Sequence, residues 1–297
     1  MEMIKTTIRN MGAAGIPCMG YCFAITGVYG HARTEARGGA ESVGVFEGSV
    51  PLPRGGVEAW NLDGDSRVQD DPRTNDGQTL RRPNGSLGPP LPAGEVWDTV
   101  VDGAAHSSGA LTTATHEQMW SRLHFFLTEL VPVAEEAGVI LAAHPDDPPL
   151  PMLRGTAKLI THPDRYAQLL ELVPSPSNAC EFCQGTVSEM LEGDEFVYDA
   201  IRRYAPKNIA YVHFRNVVGQ APNYNEVFID EGKVDMRKAM VAYRDAGYGG
   251  VMIPDHTPSM DCGAPWHAGM AFAAGYMKAT ATAVGYEFQS VEERSKL

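Results

Sequence analysis

From Thr115 onward, short apolar runs alternate with amphipathic helical patterns, and that rhythm leaves few folds open. Glu117 to Ala137 reads as a long helix, with Trp120, Leu123, Leu127, Leu130 and Val131 near helical spacing and Gly138 as its stop. The rest follows as strand Val139 to Ala143, helix Arg165 to Leu172, strand Ala179 to Cys183, helix Asp194 to Tyr204, strand Asn208 to Val217, helix Val234 to Ala246, strand Gly250 to Pro254 and helix Ala268 to Val284. Ahead of the series, a helix from Ile4 to Ala14 runs through Gly15 into a strand, Ile16 to Ile25. Strands alternating with helices imply an α/β fold with a parallel sheet, either an open doubly wound sheet or a closed barrel. Polar residues decide between them. His144, Cys183, His213 and Asp255 each fall at or just past the C-terminal end of a different strand, where a (β/α)8 TIM-type barrel gathers its functional groups.

Imidazole, thiolate and carboxylate are all ligands for a borderline divalent ion. Two His, one Cys and one Asp make a four-ligand shell, and manganese, zinc, cobalt, nickel or ferrous iron each suits it. A lone His at a strand end is more often a hydrogen-bonded structural residue. The recurrence of ligand types at four strand ends is what favours metal. Cys180 and Cys183 have CxxC spacing, but no second CxxC accompanies them. Positions three apart in a strand face opposite ways, so Cys180 is expected in the core when Cys183 faces the barrel mouth.

The segment 27–108 breaks the rhythm. It is dense in Gly, Pro, Asp, Asn and Arg with little period, and reads as a loop-rich insertion, either a functional lid or a solvated excursion. The 297 residues suit a single barrel domain over 1–297. A net charge of −13 with no run of Lys or Arg disfavours nucleic acid and anionic membranes as partners. Five cysteines, an odd and sparse set, argue for a reducing compartment. With no signal-like N-terminus and no apolar stretch approaching a membrane span, a cytoplasmic protein is expected. No GxGxxG or Walker-type pattern is present, so no nucleotide cofactor is expected.

The motifs HPDDPP, FCQGT, VHFRN and PDH, in that order, resemble the mannonate dehydratase family of xylose-isomerase-like barrels. The opening IRNMGAAGIPCMGYCF and the helix FFLTELVPVAEEAGV add to the resemblance. It implies dehydration of D-mannonate to 2-keto-3-deoxy-D-gluconate in hexuronate degradation, with manganese as the usual ion. It also implies His144, Cys183, His213 and Asp255 as metal ligands, and His256 as an acid/base group beside Asp255. Arg215, two residues past His213, is a natural fork for the substrate carboxylate, with Asp146 and Trp266 as further substrate contacts. The alternative for Arg215 is a pairing with a nearby acid such as Asp146.

Two departures matter. The chain opens at what resembles the first barrel helix, so either the first strand–helix unit is missing or the recorded start is late. Open sheet edges would then need cover, and a homo-oligomer is expected. Further on, the family's catalytic tyrosine position is occupied by His267, within APWHAGMAFAAGYM. A His can replace a Tyr as acid/base with a pKa nearer neutrality. Tyr276 is expected in the core, and Glu189 either lines the cavity or caps a helix. A related metal-dependent sugar or sugar-acid isomerase or epimerase, and a non-catalytic sugar-acid-binding protein, remain as other readings.

Overall fold

The structure is a computed structural model that describes residues 1–25, 32–45, 80–81, 87–88, 114–153 and 156–287. Much of the expected insertion at 27–108 therefore lies outside the described residues.

Helix α1 (Glu2–Ala13) leads into strand β1 (Cys18–Tyr21). Helix α2 (His116–Ala137) begins at a reciprocal cap. Thr115 Oγ1 accepts from the Gln118 amide at 3.2 Å, and Gln118 Oε1 accepts from the Thr115 amide at 2.9 Å. Its buried stripe of Met119, Leu123, Leu127, Leu130, Val131 and Ala134 follows helical spacing. Lys5 of α1 reaches Glu129 of α2 at 2.7 Å. Four more parallel strands complete a central sheet: β6 (Ile140–Ala143), β9 (Asn178–Cys183), β10 (Ile209–His213) and β13 (Val251–Ile253). The crossovers carry α3 (Arg165–Leu172), α4 (Gln184–Glu189), α5 (Glu195–Tyr204) and α6 (Met236–Asp245), and α7 (Pro265–Ala283) follows the last strand.

Strand order decides the fold class. The five parallel strands lie in the order β1-β6-β9-β10-β13, which is chain order. A doubly wound sheet reverses direction at a switch point; this one does not. Right-handed crossovers that always step the same way put every helix on one side, leaving the other to a barrel interior. The sheet is thus an arc of the (β/α)8-type barrel expected from the sequence. Every residue of β9 is buried, as a parallel strand covered on both faces requires. Cys180 is fully buried, in line with the expectation for it.

A second sheet was not legible. Strands β2 (Ala32–Ala36) and β3 (Ala40–Val45) form a hairpin, and β11 (Val217–Gln220) and β12 (Asn223–Glu226) form another. They join in the antiparallel order β11-β12-β3-β2. Residues 32–36 and 40–45, expected to lack regular structure, are therefore strands, joined by a 3-10 turn at Arg37–Gly39. The strand expected to run from Asn208 to Val217 instead ends at His213, and β11 belongs to the other sheet. Short strand pairs occur as β4 (Leu80–Arg81) with β5 (Leu87–Gly88), and β7 (Met152–Leu153) with β8 (Thr156–Ala157). Among the described residues, no helix is long and apolar enough to cross a membrane.

Candidate functional site

Parallel register brings the four ligand candidates together. Cys183 and His213 are the last residues of β9 and β10 and lie side by side in register. His144 follows β6 by one residue, and Asp255 follows β13 by two. The ligand atoms of His144, Cys183 and His213 all lie within 4.8 Å of one another. Asp255 adjoins them, with Oδ2 3.9 Å from Cys183 Sγ and Oδ1 3.4 Å from His213 Nδ1. Asp255 has φ of 67°, the left-handed region that a non-glycine residue occupies at a cost of roughly 1–3 kcal/mol. Strain of that kind persists where surrounding contacts hold it, and here they aim the carboxylate into the cluster.

Both imidazoles have one nitrogen assigned and one left over. His144 Nδ1 lies 2.6 Å from the Pro145 carbonyl oxygen, so Nδ1 carries the proton and Nε2 faces the cluster. His213 Nε2 lies 3.1 Å from Glu181 Oε1. His213 Nδ1 is buried without a hydrogen-bond partner among the described residues. An orphaned buried nitrogen beside a thiol, a carboxylate and a second imidazole is what a divalent ion would satisfy, and the donor set suits such an ion.

Electrostatics point the same way. Burial alone would raise the Cys183 thiol, but the Arg215 guanidinium and the two imidazoles outweigh it and hold the thiol well below its ordinary range. Thr186 assists, its amide and hydroxyl donating to Sγ at 3.5 and 3.2 Å. Burial would lower His213, yet Asp255 and Cys183 raise it to about 10. Burial would raise Asp255, but His256, His213 and Arg215 drive it far below the carboxylate range. The site thus favours a thiolate and a carboxylate, and without an ion it favours protons on the imidazoles, which a bound divalent ion would displace.

Arg215 sits beneath this cluster, only 3% exposed. Nε lies 3.1 Å from Asp255 Oδ2. Nη1 meets Glu189 at 3.2 Å and Glu226 at 2.9 Å. Nη2 meets Asp147 at 3.2 Å and Thr186 Oγ1 at 3.1 Å. Each of the three guanidinium nitrogens is engaged within the protein. The acids it meets are these four rather than Asp146. Gly185 makes the approach possible, because a Cβ there would lie 2.7 Å from Arg215 Nε. Asp146 is occupied elsewhere, accepting from the Leu159 and Ile160 amides at 2.7 and 2.8 Å. Trp266 and His267 stand exposed at the start of α7, ring edge against ring at 5.4 Å.

Sequence reading missed two carboxylates. Glu226 of β12 has one oxygen 2.9 Å from His256 Nδ1 and the other 2.9 Å from Arg215 Nη1. Burial would lower His256, but Glu226 and Asp255 raise it to about 9. Glu181 of β9 stands between the two ligand imidazoles. Neither carries a local motif, since Glu226 gains its position only from the second sheet. A cavity of about 190 Å³ opens beside His256, lined also by Glu41, Ser42, Glu226, Thr257 and Ser259. Backbone pairing of Glu41 with Ser259, at 3.0 and 2.8 Å, closes it with the β2–β3 hairpin.

Known proteins are similar to this chain. Mannonate dehydratase 1 of Bacillus licheniformis is 35% identical over 150 residues, which is 50% of this chain and 40% of that protein. The mannonate dehydratase of Thermotoga petrophila is 29% identical over 265 residues, 86% of this chain and 66% of its own. The chain thus spans less than two thirds of the length of these curated relatives. The crystal structure of mannonate dehydratase from Streptococcus suis serotype 2 shares the fold, with a TM-score of 0.64 at 24% identity over 97% of this chain and 72% of that one. The family model described as D-mannonate dehydratase (UxuA) matches residues 1–285. On that match, the chain belongs to the D-mannonate dehydratase (UxuA) family.

Proposed function

We propose that the protein is a metal-dependent sugar-acid dehydratase that converts D-mannonate to 2-keto-3-deoxy-D-gluconate and water. The observation that carries this reading is the convergence of His144, Cys183 and His213, with Asp255 beside them and His213 Nδ1 orphaned. These four residues would hold a divalent ion, manganese in our reading. Such an ion supplies a Lewis acid that makes a proton alpha to a carboxylate removable.

The protein's own groups carry the rest. Dehydration removes the C2 proton, and the electron pair left behind expels the C3 hydroxyl, which leaves as water once protonated. The resulting enol becomes the 2-keto acid by taking a proton at C3. Proton transfers of this kind need a side chain held at the reacting atoms. His256 fits that role. It lines the cavity, with Nδ1 2.9 Å from Glu226 and Nε2 3.5 Å from Asp255, so that it bridges the cavity and the ligand cluster. His267 is a second acid/base candidate from the start of α7. Arg215 acts through Asp255 and Cys183, whose charges it holds. The hydroxyls of Ser42, Thr257 and Ser259 and the carboxylates of Glu41 and Glu226 form a wall suited to a polyhydroxyl chain.

We place the enzyme in the cytoplasm as a homo-oligomer. Val251 and Ile253, 44% and 37% exposed on β13, support an apolar contact there.

Incubation with D-mannonate and manganese in D2O tests the reaction. The expected product is one water lighter, with deuterium at C3. A product that retains every oxygen, with deuterium at C2, would instead establish an epimerase or isomerase.

A further inference from the structure

Glu181 is not required as a ligand, yet it is buried against two of them. It precedes Cys183 by two residues on β9, so both side chains leave the same face of the strand. Its Oε1 lies 3.1 Å from His213 Nε2 and 4.0 Å from His144 Nε2. The Tyr211 hydroxyl, two residues before His213 on β10, shares with this carboxylate the space over Gly20. Space for this pair comes from β1. A Cβ on Gly20 would collide with the Tyr211 hydroxyl and lie 2.6 Å from Glu181 Oε2. Three strands therefore give interior positions to one carboxylate.

The arrangement has a chemical consequence. An imidazole whose Nε2 faces a carboxylate keeps its proton there and turns the lone pair of Nδ1 outward. Nδ1 is the His213 nitrogen that is buried, unpartnered, and directed at Asp255. Ligating histidines are commonly held by a carboxylate on the other ring nitrogen, which fixes both tautomer and ring orientation.

We infer that Glu181, seated by Tyr211 in the gap left at Gly20, is the positioning residue that fixes His213 with Nδ1 toward the ligand cluster. This rests on the metal-centre reading and deepens it.

Zinc serves as the probe. Its dissociation constant is measured by chelator competition on the full chain and on Glu181→Leu and Glu181→Gln. The ring 15N shifts of His213 are recorded on the zinc-loaded proteins. Glu181→Leu is expected to weaken zinc roughly 10–100-fold and to blur the single His213 tautomer. Glu181→Gln, whose side-chain oxygen still accepts from Nε2–H, is expected to recover most of that loss. A merely structural Glu181 would lower the melting temperature of both variants without separating them in affinity or tautomer. Parental zinc affinity in Glu181→Leu, with His213 still bound through Nδ1, overturns the inference while leaving the metal centre intact. Should Glu181→Leu fail to fold, Gly20→Ala crowds the same carboxylate; weakened zinc is expected, and unchanged affinity overturns the inference. A parent chain that binds no zinc overturns the metal centre and this inference with it.

Discussion

Cys183 meets two opposed demands: burial favours the neutral thiol, and a ring of cations favours the thiolate. The cations win because Arg215 is itself buried and has no water to turn to. Cys183→Ser removes the thiolate, since a serine hydroxyl stays neutral. Bound metal and turnover should fall together, read by elemental analysis and product formation; full metal content would take Cys183 off the ligand set. Arg215→Met leaves Asp147, Glu189, Glu226 and Asp255 without their shared cation. Breaking a buried pair by deleting one partner costs roughly 3–5 kcal/mol. Urea melts should show a loss of that order, and a loss under about 1 kcal/mol would mean the acids simply take up protons. His267→Phe should keep metal and lose turnover, and unchanged rates would make His267 a surface residue. At this scale the sequence exposed residue types with their own chemistry at strand ends. It did not expose Glu181 and Glu226, because an acid on a strand says nothing about which imidazole it will face.

Strand order is where local pattern became architecture. The runs ending at Ala143, Cys183 and His213 were readable because strands of a parallel sheet are rich in apolar residues, even with Glu181 set into the second of them. The helix α2 was readable for its stripe and its Thr115–Gln118 cap. Leu127, fully buried on that stripe, gives the matching prediction. Leu127→Ala should cost about 2–5 kcal/mol in chemical denaturation while zinc affinity stays parental, since the cluster lies at the strand ends. A change in zinc affinity without loss of stability would contradict that division between core and site. The β2–β3 hairpin escaped notice for a physical reason. Its strands, ARTEA and AESVGV, hold mostly small and polar residues, so the pairing of β2 with β3 and of β3 with β12 stabilises them more than any pattern of their own. Yet this hairpin closes the cavity at Glu41 and Ser259.

For the whole molecule, the cluster links metal, protons and stability. His144, His213 and His256 are raised above the ordinary imidazole value, the last two to about 10 and about 9. Each raised imidazole contributes stability that is complete below its unfolded value near 6.5 and lost as pH rises through the folded value. Cys183, held low, works in the opposite sense, but it is one group against three. Metal-free protein should therefore lose stability as pH rises from about 6.5 toward about 9. Metal affinity should rise over the same window, because binding displaces those protons. Thermal melts with and without metal across that range should diverge as pH increases; parallel curves would remove the imidazoles from the site.

Family membership, the ligand cluster and the cavity meet in one claim, that an ion at these four residues enables dehydration of a sugar acid. The most direct test strips the protein of metal and titrates manganese back while D-mannonate turnover is followed. The stripped protein should show no turnover, and activity should rise in proportion to bound manganese until a single equivalent is reached. Full turnover under chelation, or a single equivalent bound with D-mannonate untouched, would contradict it.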